Sequence, residues 1–102
     1  MTTVLTVDVL REPARTLVVL AGELDLSTGR LLADVLAGTA DDHRVDVDLS
    51  RLSQCDSCGL SILLAARHRA WREGRELRVV GVGGLFARVT GACDASRVLL
   101  GA

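Results

Sequence analysis

Apolar and polar residues alternate along TVLTVDVL (3–10), the period-two pattern of a strand with one face exposed. The turn-forming stretch Glu12-Pro13-Ala14 separates it from the more continuously apolar TLVVLAG (16–22), so the two runs are expected to pair as a hairpin. After Gly22-Glu23-Leu24-Asp25 the period changes. Ser27 is placed to cap a helix in which the pairs Leu31/Val35 and Leu32/Leu36 recur four apart on one side, with Gly38 as its stop. Alternation returns in RVDVDLS (44–50), a short valine-rich strand. From Asp56 or Ser57 a second helix is predicted to run to about Glu73 and end at Gly74, with Leu60, Leu63, Leu64 and Trp71 on one stripe. ELRVVGV reads as a further strand, LFARVTG as a short helix and RVLL as a last strand.

The resulting order, β-β-α-β-α-β-α-β, predicts an α/β domain whose crossover helices pack on a mixed sheet with parallel central strands. A chain of 102 residues fits one domain with a real core. Charge narrows the function classes. With 12 Lys and Arg against 13 Asp and Glu, the formal net charge is −1, which gives no general attraction to nucleic acid or anionic lipid. Apolar runs such as LVVLA (17–21) and LSILLAA (60–66) are too short to cross a bilayer, and the N-terminus lacks a basic-then-apolar signal pattern. A cytoplasmic protein with reduced thiols is expected, binding neither nucleic acid nor membrane.

The stretch QCDSCG (54–59) carries the candidate chemistry, and it admits two readings. Cys55 and Cys58 have the Cys-x-x-Cys spacing of dithiol redox centres and of half of many zinc sites. Asp56-Ser57 stands where a strand hands over to a helix, so backbone N–H groups of Ser57, Cys58 and Gly59 are expected to point outward, and the helix start favours negative charge. The redox reading is poorly supported. The only proline, Pro13, lies far off in the first hairpin, and Asp56 opposes a neighbouring thiolate by like charge. Zinc would need ligands from His43, His68 or Cys93, which are widely spaced. Both cysteines are therefore expected as small apolar fillers, reduced and metal-free. Asp56 or Ser57 can equally be an N-cap, and Asp25 a turn residue. The basic residues Arg67, His68, Arg69 and Arg72 suit a solvated helix C-terminus, and GVGG (81–84) lacks the spacing of a dinucleotide site.

GELDLST (22–28), VDLSRLSQCDSCGLSILLAARHRA (47–70) with its Asp-Ser-x-Gly-Leu core, and GRELRVVGV together resemble the STAS-domain family of bacterial anti-sigma factor antagonists. The resemblance spans nearly the whole chain, implying a single STAS domain over 1–102 with helices mainly on one face of the sheet. It also implies a regulator and not an enzyme. Such a protein binds a serine-kinase anti-sigma factor, frees the sigma factor, and lets go once the kinase has phosphorylated the serine that corresponds to Ser57. ATP and Mg would be held by the partner, the chain itself needing no cofactor or metal. The implied partner surface comprises Gly22, Glu23, Leu24 and Asp25 with Asp56, Ser57, Cys58, Gly59 and Leu60, on a monomer or weak dimer. Two alternatives remain: a STAS scaffold or transport-complex subunit that is not phosphorylated, and a Cys-x-x-Cys redox protein.

Overall fold

A computed structural model describes residues 4–81. Strands β1 (Thr6–Arg11) and β2 (Thr16–Leu24) are followed by helix α1 (Gly29–Ala37), strand β3 (Arg44–Cys55), helix α2 (Ser57–Arg72) and strand β4 (Glu76–Val80). They form one sheet in the order β1-β2-β3-β4, antiparallel between β1 and β2 and parallel beyond. Each parallel step moves the same way across the sheet. Right-handed crossovers then put α1 and α2 on the same face, where they also touch each other. Between helices and sheet lies a single core built on Val18, Leu20, Leu24, Leu32, Val45, Val47, Leu49, Leu60 and Leu63. The segments LFARVTG and RVLL, predicted as a third helix and last strand, lie outside the described residues.

The β1–β2 hairpin closes where Glu12 N–H donates to the Arg15 carbonyl at 2.8 Å. The same turn is pinned to β3 by charge. Arg15 Nη1 donates to Asp46 Oδ2 at 2.7 Å, and Asp46 is buried on β3. Nearby, Asp42 accepts from the Thr16 hydroxyl at 2.9 Å and from Arg11 Nη1. These contacts hold the Asp42 carboxyl below its ordinary range, the Thr16 hydroxyl contributing most and Arg11 next.

Strand β3 is longer than the alternation suggests. Val45, Val47 and Leu49 face the helices at spacing two, but the next buried residues are Leu52 and Cys55, each three further on. The pairing with β2 explains the change: its register shifts between Val19 and Ala21 and again between Gly22 and Glu23, so β3 carries extra residues at both places. A period-two reading therefore ends at Ser50, whereas the strand continues into Cys55.

Three further sequence expectations are corrected. The N-cap position of α1 is Thr28 and not Ser27, with no side-chain cap bond, and Ser27 is drawn into a turn around Asp25. Its buried stripe is Gly29, Leu32 and Leu36, which leaves Leu31, 100° away from Leu32, 45% exposed. In α2 the buried arc holds Gly59, Leu60, Leu63 and Ala70. Trp71 falls only about 20° from Leu60 around the helix but three turns further along it, and it is 74% exposed, stacked on His68 with ring centroids 6.1 Å apart. Among the described residues, no helix is long and apolar enough to cross a membrane.

Candidate functional site

The two sequence motifs meet at the C-terminal edge of the parallel strands. The β2–β3 register places Glu23 opposite Gln54 and Leu24 opposite Cys55, and Asp56 N–H donates to the Leu24 carbonyl at 3.1 Å. Gly22-Glu23-Leu24-Asp25 is thereby fixed beside the start of α2. Close approach is possible only because Gly59 has no side chain: a Cβ there would lie 2.6 Å from Leu24 Cγ and 3.1 Å from the Leu24 carbonyl oxygen. Gly29 similarly lets Ile62 of α2 pack against the start of α1.

The expected surface residues divide by burial. Leu24, Gly59 and Leu60 are buried and belong to the scaffold, while Gly22 is half-buried with positive φ against the Val4–Leu5 backbone. Glu23 and Asp25 are half-exposed, and Asp56, Ser57 and Cys58 are exposed. Asp25 organises its own loop. Its carboxylate accepts from the Ser27 hydroxyl at 2.7 Å, the Ser27 N–H at 2.9 Å and the Thr28 N–H at 3.0 Å, while the Thr28 hydroxyl donates to the Glu23 carbonyl at 2.9 Å. The Ser27 hydroxyl, followed by the Thr28 N–H, holds the Asp25 carboxyl below its ordinary range, so it is a fixed negative charge at neutral pH.

At the start of α2 the roles of two adjacent polar residues separate. Asp56 is the N-cap in extended conformation, and its carboxylate accepts from Gly59 N–H at 2.9 Å. Ser57 is the first helical residue. Its hydroxyl is exposed and makes no hydrogen bond among the described residues, nor do the N–H groups of Ser57 and Cys58. The capping task is thus complete without the serine side chain. Replacing Asp56 by Ala should cost about 0.5–2 kcal/mol of stability, whereas Ser57→Ala should stay within about 0.5 kcal/mol, as measured by urea unfolding. Equal losses in both would show that the hydroxyl shares the cap.

Cys55 and Cys58 lie in different environments. Cys55 ends β3 with its side chain buried in the core, and Cys58 lies on the exposed first turn of α2. The Cys-x-x-Cys spacing therefore straddles a strand and a helix. Among the described residues no group of three His, Cys, Asp or Glu is placed to hold a metal ion.

Leu26 lies inside GELDLST but was assigned no role there, yet it is the most exposed large apolar side chain among the described residues, at 79%. The available signal was an isolated leucine between the turn residues Asp25 and Ser27.

Comparison with known proteins bears on this geometry. Residues 7–100 match the family model described as "Mlab, STAS domain". No curated protein matches the chain. It is similar to the structure of an anti-sigma factor antagonist from Mycobacterium paratuberculosis, at 23% identity and TM-score 0.66 over 74% of this chain and 65% of that one. Similarity also extends to an antisigma-factor antagonist STAS domain from Rhodobacter sphaeroides, at 22% identity and TM-score 0.67, covering 83% and 95% of the two chains. The unphosphorylated anti-sigma factor antagonist SpoIIAA is 13% identical with TM-score 0.67, over 91% of this chain and 94% of its own. The chain spans slightly less than two thirds of the Mycobacterium protein. At such identities the likeness concerns the fold.

Proposed function

The chain belongs to the STAS-domain family, and from that premise we propose that it is an anti-sigma factor antagonist which binds a serine-kinase anti-sigma factor and is switched off by phosphorylation of Ser57. One observation carries the reading: Ser57 presents an exposed hydroxyl that the fold does not use, because Asp56 already caps the helix. A modified side chain at this point therefore costs the domain nothing in lost internal bonds.

Glu23, Asp25, Asp56, Ser57 and Cys58 form the face that the partner covers, and Gly22, Leu24, Gly59 and Leu60 hold that face in place. Phosphorylation adds about 1.5 to 2 negative charges at pH 7. The helix start tolerates this charge, since the N–H groups of Ser57 and Cys58 are available to it. A partner packed dry over a neutral hydroxyl does not. It meets a dianion next to the carboxylate of Asp56, and burying that group unpaired costs several kcal/mol. Release then follows from electrostatics and desolvation, without a change of fold.

The reading is tested by incubating the protein with an anti-sigma serine kinase and Mg-ATP. One phosphate per chain is expected, mapping by fragment mass spectrometry to Ser57 and not to Ser53 or Ser61. Phosphate at either of those serines, or at none, would reject the switch. A second reading, a STAS scaffold or transport-complex subunit with no phosphorylation cycle, rests on the matching family's description, "Mlab, STAS domain". Under that reading the same face binds constitutively.

A further inference from the structure

We propose that Leu26 is the apolar anchor by which the kinase seats itself on Ser57, an inference that rests on the switch reading above. Leu26 follows Asp25 in a loop that the Asp25 carboxylate and Thr28 hydroxyl lock from within. Nothing in that bonding uses the Leu26 side chain, which is 79% exposed. A large apolar group is thus held out to solvent on a rigid tip. Ordering a loop on association opposes binding, and here the loop is already ordered.

The position of the tip identifies its occupant. Asp56 N–H meets the Leu24 carbonyl at 3.1 Å, so chain geometry limits the Cα atoms of Leu26 and Ser57 to about 15 Å apart. A standard interface covers roughly 800 Å² on each partner, a patch about 16 Å in radius. A footprint of that size centred on Ser57 reaches Leu26. The tip is bracketed by the carboxylate of Asp25 and the hydroxyl of Ser27. This arrangement of one apolar knob within a polar surround fits a partner that offers a small hydrophobic pocket with donors at its edge, the usual form of a binding hot spot.

The experiment uses the full chain and whichever anti-sigma serine kinase phosphorylates Ser57, loaded with Mg-ADP, with affinity read by calorimetric titration. Leu26→Ala should weaken binding at least tenfold with an unchanged melting temperature, and Leu26→Met should restore it to within about threefold, since Met fills a Leu pocket with adaptable packing. Trp71→Ala is the control for general stickiness. Trp71 lies 14 residues along α2, about 21 Å from Ser57 along the helix axis, and should leave affinity unchanged. If Leu26→Ala binds like wild type, or Trp71→Ala weakens binding equally, the anchor is refuted while the switch stands. If no kinase modifies Ser57, both proposals fall together.

Discussion

Ser57→Asp should weaken kinase binding by about ten- to a hundredfold, roughly 1.4–2.8 kcal/mol, while leaving the melting temperature unchanged or slightly higher. The two effects have opposite signs for one reason. In the free domain the new carboxylate stands at the first position of α2, where the helix dipole stabilises negative charge by about 0.3–1 kcal/mol. In the proposed complex the same charge would sit beside Asp56 under a partner surface that excludes water, where like-charge juxtaposition costs several kcal/mol. Phosphoserine, with nearly twice the charge, should lower affinity further than Asp does. Ser57→Ala removes only an unbonded hydroxyl, so it should bind like wild type and accept no phosphate. Unaltered binding by Ser57→Asp, measured beside a phosphorylated sample that also binds, would favour the constitutive scaffold.

Gly22→Ala should destabilise the domain by about 3 kcal/mol or more, lowering the melting temperature by roughly 12–24 °C. Gly22 adopts φ +105°, a region that L side chains rarely enter, and a Cβ would sit 2.1 Å from the backbone carbonyl oxygen of Val4. Strain of about 1–3 kcal/mol from the backbone adds to a clash that only displacement of the Val4–Leu5 segment can relieve. Because Leu5 belongs to the core, that displacement is itself unfavourable. Near wild-type melting in differential scanning calorimetry would contradict this account. Binding by Gly22→Ala, measured well below its melting point, should fall only as far as the folded fraction does, which separates a scaffold glycine from a contact residue.

The local devices were legible because their causes are local. Asp56 could be expected at the head of α2, and Gly74 at its end with φ +72°, because capping and left-handed termination depend on residues within one turn. The parallel sheet followed from the alternation of strand and helix patterns, which right-handed crossovers convert into topology. The Gly-Glu-Leu-Asp and Asp-Ser-x-Gly motifs were readable as motifs, and the resemblance they carry supplied the expected partner and phosphorylation.

Other features depend on neighbours distant in sequence, so only the tertiary structure decided them. The two register shifts against β2 extend β3 into Cys55, and no count of apolar residues along 44–55 can reveal a bulge that exists only in the pairing. Trp71 matched the apolar stripe by spacing and falls about 20° from buried Leu60 around α2, yet it is 74% exposed while Ala70 beside it is buried, because burial three turns further along depends on what packs there and not on the period. Whether Ser57 or Asp56 caps the helix was likewise open in sequence, since both side chains can reach a free N–H. The fold settles it by bonding Asp56 N–H to the Leu24 carbonyl, which holds Asp56 extended with its carboxylate on Gly59 N–H and turns the Ser57 hydroxyl out to water.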